Sequence, residues 1–357
     1  MSTVRTMIRP LTLPYESLRT LYEGSCEVHL YKNEITGQLQ VGKRIDILGL
    51  EEAVAVREAK LLTTITHPNV VPVTEVAEFA GYDSALKVIE LIMPFYPRGS
   101  VFDALARGER FSVAQARRHG IEALLGLAEI HDSYGILHRD GKSPNVLIDE
   151  NGAARVGDLG VAVPMEQDGT AEAYPSAQLF SSPETFVTGR VSRASDLYQM
   201  GLVVFELVNG PLPYDENPIG EVVARLEKGR RGPRPRDLRL SPHVPRRMRT
   251  VISKALSINP AERYATAGQM VDALRAVPLV DWRLLVDEPD HKWPPFTARR
   301  TSSSRASDGS STASTGSTSP SSSRFTPGRA PTSTVRDSSS VATCGWSSHS
   351  ATSSRLW

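Results

Sequence analysis

A chain of 357 residues with 41 Lys and Arg against 40 Asp and Glu carries a formal charge of +1, which excludes the strongly basic surface of a general nucleic-acid binder. Its two cysteines, Cys26 and Cys344, stand near opposite ends, so no disulfide framework or zinc site is expected and a reducing, cytoplasmic setting fits. The longest apolar run, near Leu202 to Val208, is too short to span a bilayer, and Pro10 and Pro14 interrupt the place of a signal peptide's apolar core.

Residues 1–14 read as a short extension. From Leu18 to about Ile47 the pattern favours strands: Glu27 to Tyr31, a turn at Thr36-Gly37, then Leu39 to Ile45. Glu51 to Ile65 has few breakers and acidic residues in its first turn, which predicts a helix ended by His67-Pro68-Asn69. Strands are expected near Val70 to Val76 and Leu86 to Met93, and Pro97-Arg98-Gly99 then divides two regions of different character. Beyond it helices dominate. Ser112 to Gln115 is a capping-box signature, followed by Ile121, Leu124, Leu125 and Ala128 on one helical face. From about Ala194 to Val208 the chain is apolar nearly all round, the mark of a buried helix, with Gly210 as its C-cap. Further helices are expected over Met248 to Leu256 and after Thr266. Strands first and helices second make an α+β class. Residues 278–300 keep Trp282, Trp293 and Phe296 that could pack on the globule. Residues 301–357 are dominated by serine and threonine and are expected to be a disordered tail.

One compact stretch concentrates chemistry: His138-Arg139-Asp140, Lys142, Asn145 and Asp158-Leu159-Gly160. Val146 to Asp149 and Ala154 to Gly157 read as short strands, and Asn151-Gly152 between them is a hairpin signal because both residues tolerate positive φ. That hairpin returns Asp158 to the side of Asn145. Two hard-oxygen groups then face one space, which suits magnesium carrying phosphate, beside a base-like carboxylate and an ammonium.

The string His-Arg-Asp-x-Lys-x-x-Asn, a hairpin and Asp-x-Gly resembles the catalytic core of eukaryotic-type Ser/Thr protein kinases. The stretch Lys254 to Tyr264 resembles bacterial members of that family. The resemblance covers about residues 15–277. It implies a two-lobed fold: a small antiparallel β-sheet lobe with one αC helix over about 15–95, and a larger, mainly helical lobe over about 96–277, with ATP in the cleft. It further implies that Asp140 accepts or orients the substrate hydroxyl proton, Lys142 stabilises the transferring group, and Asn145 and Asp158 hold Mg2+ or Mn2+. By the same resemblance Lys43 contacts the phosphates and Glu58 orients it, with Arg44 left open as the alternative to Lys43. Only Gly24 of the stretch Tyr22 to Val28 matches the family's glycine-rich loop, in which Glu23 and Glu27 would repel phosphate if they faced inward. Leu21, Val28, Val41 and Leu147 match the adenine walls, and Met93, Phe95 and Tyr96 the hinge.

The activation segment would run from Asp158-Leu159-Gly160 to Ser182-Pro183-Glu184. Arg139 is expected to pair with a phosphate on it, with Thr170 ahead of Tyr174 and Ser176 as the acceptor. Glu184 is expected to bridge to Arg263, and Asp196 to hold the backbone of the loop that begins at His138. Ala177 stands where the family carries a threonine that touches the catalytic aspartate. The arginine-rich run from Lys228 to Arg249 reads as either a docking patch or a solvated loop. The function implied is a cytoplasmic serine/threonine kinase that acts on protein hydroxyls with ATP and Mg2+. Autophosphorylation and dimerisation are open, and neither a nucleic acid nor a membrane segment is expected. The alternative is a pseudokinase, an ATP-binding or scaffold module on the same fold.

Overall fold

The computed structural model describes residues 13–23, 27–46, 62–78, 88–174 and 178–278. Expectations for residues 1–12, Gly24, most of the 51–65 helix including Glu58, Ser176, Ala177, and everything from 279 onward lie outside the described residues.

Alternating, β-branched sequence in the first region forms one antiparallel sheet in the order β1-β2-β3-β5-β4: β1 (Tyr15–Glu23), β2 (Glu27–Asn33), β3 (Leu39–Asp46), β4 (Glu75–Glu78) and β5 (Val88–Pro94). Between β2 and β3, Asn33 Oδ1 accepts the N–H groups of Ile35 and Thr36 at 3.0 and 2.9 Å, and Gly37 takes φ +71°. The strand expected over Val70 to Val76 is displaced. Pro72 has no N–H for a ladder, and Val71 N–H bonds Val156 O at 2.8 Å instead. Residues 70 and 71 therefore run against the second region, and the chain joins the sheet at Thr74, whose N–H bonds Ile92 O on β5 at 2.8 Å ahead of the strand that starts at Glu75.

Register decides which side chains share a face. Lys43 stands opposite Val28 and Leu91, and Val41 opposite Leu30 and Met93. The neighbouring positions turn the other way. There Arg44 Nη1 meets Glu27 Oε2 at 2.5 Å, and Tyr31 donates to Glu90 Oε1 at 2.6 Å. Gly42 sits among them because a Cβ would come within 2.3 Å of Tyr31 Cε2 and 2.6 Å of Glu90 Oε1.

The second region holds α1 (Val101–Ala106), α2 (Val113–Asp132), α3 (Pro183–Val187), α4 (Arg193–Asn209), α5 (Ile219–Leu226), α6 (Arg246–Ala255) and α7 (Ala267–Arg275). The expected capping box at Ser112 is present: its hydroxyl accepts Gln115 N–H at 3.2 Å and Gln115 Oε1 accepts Ser112 N–H at 2.9 Å. The face that α2 buries differs from the one its sequence suggests. Ala116, Ala123, Leu124, Leu127 and Ile130 are fully buried, while Ile121, Leu125 and Ala128 flank the core. Helix α4 lies at the centre with Leu197, Leu202 and Phe205 at most 1% exposed, each such burial worth about 1.5–3 kcal/mol. It approaches α6 so closely that a Cβ on Gly201 would lie 2.7 Å from Ala255 Cβ. Gly210, at φ +91°, ends it as expected.

Three small pairs complete the region: β6 (Ile136–Leu137) with β9 (Val163–Pro164), β7 (Val146–Ile148) with β8 (Ala154–Val156), and β10 (Thr170–Glu172) with β11 (Arg190–Ser192). The β7–β8 hairpin forms through a wider loop than the Asn151-Gly152 signal implies. Gly152 takes φ +74°, whereas Asn151 does not enter positive φ. Asp149 closes the loop by accepting Asn151 and Ala153 N–H at 3.0 and 2.8 Å.

Part of the arginine-rich run, with the neighbouring Arg225, is tied inward. Arg225 and Arg231 donate to Gly232 O and Leu256 O at 2.7 Å. Arg234 pairs with Asp237 at 2.9 Å, and Arg249 caps Ser241 O at 2.6 Å. Lys228, Arg230, Arg236, Arg239, Arg246 and Arg247 of the same run stand exposed, so part of it braces loop segments and part faces solvent. Among the described residues no helix is long and apolar enough to cross a membrane.

Candidate active site

The loop His138–Asn145 is fixed from beneath by α4. Asp196 Oδ2 accepts His138 N–H at 2.8 Å and faces His131 Nε2 at 2.7 Å, and its Oδ1 accepts Arg139 N–H at 2.9 Å. Burial would raise the Asp196 carboxyl, but the hydrogen bonds from His131 and from the His138 N–H hold it below the usual carboxylate range. Gln199, which the motif reading did not single out, reaches the same loop: its Nε2 donates to Arg139 O at 3.1 Å and its Oε1 accepts Gly141 N–H at 2.9 Å. His138 is wholly buried. Its Nε2–H donates to Gly157 O at 3.0 Å, which leaves Nδ1 to accept Asp140 N–H at 3.3 Å.

Among the described residues Arg139, at φ +64°, and Asp158, at φ +55°, are the non-glycine residues with left-handed backbone. Such strain costs about 1–3 kcal/mol per residue and persists only where neighbours over-determine it. Both residues belong to the site.

The polar groups of the site form two bonded sets, joined through the backbone at Gly157. Asp140 Oδ2 lies 3.0 Å from Lys142 Nζ and accepts from Asn145 Nδ2 at 2.9 Å. Asn145 Nδ2 also donates to Asp140 O at 2.8 Å, and Asn145 O accepts Gly157 N–H at 2.8 Å, which draws the end of β8 to the loop. Asp158 Oδ1 pairs with Lys43 Nζ and accepts Gly160 N–H at 3.2 Å. A Cβ on Gly160 would stand 2.9 Å from Lys43 Nζ and 3.1 Å from Asp158 Oδ1, so Gly160 lies directly against that pair. Burial pushes the Asp158 carboxyl up, yet the Lys43 charge and bond outweigh it and hold the group below its ordinary range.

Lys43 and Arg44 are thereby separated. Strand alternation sends Lys43 to Asp158 and Arg44 to Glu27, Glu90 and Tyr31 on the other face. Glu27 is on that other face too, where it accepts from Arg44, while Val28 is the residue opposite Lys43.

A divalent cation fits this donor set. The Asn145 amide nitrogen is committed to Asp140, so its oxygen is the atom left to face a cation, and Asp158 is held charged beside it. Among the described residues no cluster of three or more His, Cys, Asp or Glu has the spacing of a metal site. A cation held by Asn145 and Asp158 would need oxygens from its ligand to complete its shell.

Around these groups Lys43, Leu62, Val71, Leu91, Met93 and Leu159 line a cavity. Val28 and Val41 share the sheet face of Lys43, and Leu21 on β1 is 37% exposed. Leu147, half-buried on β7, bridges to Ser100. Of the hinge positions, Phe95 N–H makes a long 3.4 Å bond to Leu39 O, and Tyr96 is drawn away. The Tyr96 carbonyl accepts Gly99 N–H at 2.9 Å, and its buried ring lies 5.8 Å from the Arg155 guanidinium.

The segment after Asp158 is organised by arginines. Arg139 Nε donates to Val161 O at 2.6 Å and Nη1 to Glu172 O at 2.9 Å, and the guanidinium lies 5.7 Å from the Tyr174 ring centre. Thr170 Oγ1 donates to Asp168 at 2.7 Å and accepts from Arg190, which also pairs with Glu166 at 2.6 Å. At the segment's end Arg263 grips Glu184 through two bonds of 2.7 and 2.8 Å. Its remaining N–H groups serve Ser257 O, Ala194 O and Ile258 O, so the buried guanidinium is fully satisfied. Ser195 donates to the same Glu184 oxygen at 2.7 Å, and burial notwithstanding the carboxyl is held low by Arg263.

A family profile for the protein kinase domain matches residues 15–274. Among relatives, CBL-interacting serine/threonine-protein kinase 9 of Arabidopsis thaliana is 29% identical over 267 residues, covering 72% of this chain and 57% of its own length. Kinases 1 and 17 of the same name and organism are 28% and 27% identical, over 56% and 58% of their lengths. The chain thus spans little more than half the length of the curated relatives it matches.

Proposed function

The chain belongs to the protein kinase family, and from that premise we propose that it is a serine/threonine protein kinase that moves the γ-phosphoryl group of ATP to protein hydroxyls. One observation carries the reading: Lys43 pairs with Asp158, Lys142 and Asn145 both bond the Asp140 carboxylate, and the bond from Gly157 N–H to Asn145 O joins the two sets through the backbone. Asp140 receives the acceptor's hydroxyl proton as that oxygen bonds to the γ-phosphorus. The bond from the γ-phosphorus to its bridging oxygen breaks, and ADP leaves. Lys142 sits where charge grows on the transferring group, and Lys43 draws the α- and β-phosphates. Asn145 and Asp158 hold magnesium, which neutralises phosphate charge when bound. Serine or threonine as acceptor rests on the lysine two residues after Asp140 and on the names of the relatives.

The kinase unit proposed is residues 15–277, with 278–300 and 301–357 outside it. The acceptors include the chain's own hydroxyls, Thr170 foremost among them. ATP and protein acceptors meet in the cytoplasm, which is the compartment proposed.

The test is transfer of label from γ-labelled ATP with Mg2+ to a generic basic protein and to the chain itself. Labelled phosphoserine or phosphothreonine is the expected product. A chain that gains melting temperature with ATP and Mg2+ yet transfers no label would be a nucleotide-binding scaffold instead.

A further inference from the structure

Helix α4 reaches the loop with a second side chain that the reaction as described does not use. Gln199 lies three residues after Asp196 and is 6% exposed. Its two bonds go to Arg139 O and to Gly141 N–H, the backbone groups just before and just after Asp140. The amide has one orientation that satisfies both, because one partner must receive a hydrogen and the other must give one.

Two peptide planes flank the Asp140 Cα, and each offers one carbonyl and one N–H. In the first, Arg139 O accepts from Gln199 and Asp140 N–H donates to His138 Nδ1. In the second, Asp140 O accepts from Asn145 and Gly141 N–H donates to Gln199 Oε1. All four groups are bonded by side chains, and Gln199 supplies one bond to each plane. From this bracket we infer that Gln199 is a positioning residue for phosphoryl transfer: it sets the rotation of both planes and thereby the direction in which the Asp140 carboxylate meets the acceptor hydroxyl.

Two further observations bear on it. Gly141 leaves the room Gln199 occupies, since a Cβ there would lie 3.0 Å from Gln199 Cβ, 3.1 Å from its Oε1 and 3.2 Å from Met200 Cε. Arg139 holds left-handed backbone at φ +64°, and α4 fastens that residue at both ends, Asp196 at its N–H and Gln199 at its carbonyl. A glutamate would keep the bond to Gly141 but set a second oxygen against Arg139 O. A methionine would fill the volume and bond neither.

The inference rests on the reading of Asp140 as the proton acceptor, and the experiment separates the two. Gln199→Met and Gln199→Glu are each made alone and with Asp140→Asn. Steady-state transfer from ATP to a generic basic protein is measured, with kcat normalised to the folded fraction. Each single variant is expected to lose at least about tenfold in kcat with the KM for ATP within about twofold of wild type. In the Asp140→Asn background neither is expected to cost more than about a further twofold, because the group being positioned is already gone. Wild-type kcat in both Gln199 variants beside an impaired Asp140→Asn would overturn the inference alone. An equal loss with and without Asp140, or a parallel rise in KM for ATP, would make Gln199 a general packing residue and overturn it too. Full activity of Asp140→Asn would sink the reading of Asp140 and the inference with it.

Discussion

The loop His138–Asn145 and the strand pair β10–β11 are fastened by different means. The loop is held by buried side chains of α4 that bond its backbone, with Asp196 and Gln199 at 2% and 6% exposure. The strand pair buries Ala171 and Val191 against Leu137, but its Thr170 side is held at the surface, where Arg190 and Glu166 meet with side chains 37% and 56% exposed. Backbone-directed bonds in a low-dielectric interior leave no alternative partner and little sensitivity to salt. Surface ion pairs exchange partners easily and are screened. The groups proposed to react are thus built into the part fastened by buried bonds, while Thr170 stands in the part that charge can rearrange.

The sharpest way to break the comparison is at the loop's centre. Asp140→Asn should lower kcat about 10²–10⁴-fold while the rise in melting temperature with ATP and Mg2+ persists. Next in size is the buried clamp beneath the activation segment. Glu184→Ala leaves the Arg263 charge unpaired inside the protein and should cost about 3–5 kcal/mol by denaturant midpoint. Acid should act on the same buried carboxylates. Glu184 and Asp196 are held below their ordinary range in the folded chain, so the unfolded chain binds more protons as pH drops through that range. The stability they contribute is present above the ordinary carboxylate pKa and lost as pH falls through their folded values. Melting temperature against pH should show that loss, and Glu184→Gln should make it shallower. The smallest effect belongs to the surface. Arg190→Ala should leave the melting temperature unchanged within error at moderate salt, and a large drop would mean the strand pair is braced like the loop.

Much of this was legible in the chain because spacing carried it. The residues from His138 to Gly160 are close in sequence, so one hairpin suffices to bring them together. Glu184 and Arg263 were readable through their motifs alone, far apart as they are. Lys43 leads Arg44 by type, as the more compact ammonium, and strand alternation puts Lys43 beside Asp158 and Arg44 on the other face. Gln199 was missed because a lone glutamine in an apolar helix gives no periodic signal. The available hint was the pair it makes with Gly141, a residue without a side chain directly after the reacting aspartate. Val70 to Val76 reads as a strand because β-branched residues favour strands wherever they stand, whereas Pro72 within it has no N–H for a ladder. The α2 face shifted because Gly120 and Gly126 admit neighbours closely, with a Cβ on Gly126 meeting Asn69 O at 2.2 Å.

The central claim is that the loop held by α4 transfers phosphate to hydroxyl groups. Phosphosite mapping by mass spectrometry, on the chain and an acceptor protein after incubation with ATP and Mg2+, tests it most directly when wild type is run beside Asp140→Asn. The account predicts phosphoserine and phosphothreonine in the wild-type reaction and their near absence in the variant. Equal phosphorylation in both, or none in a wild-type chain that binds ATP, would contradict it.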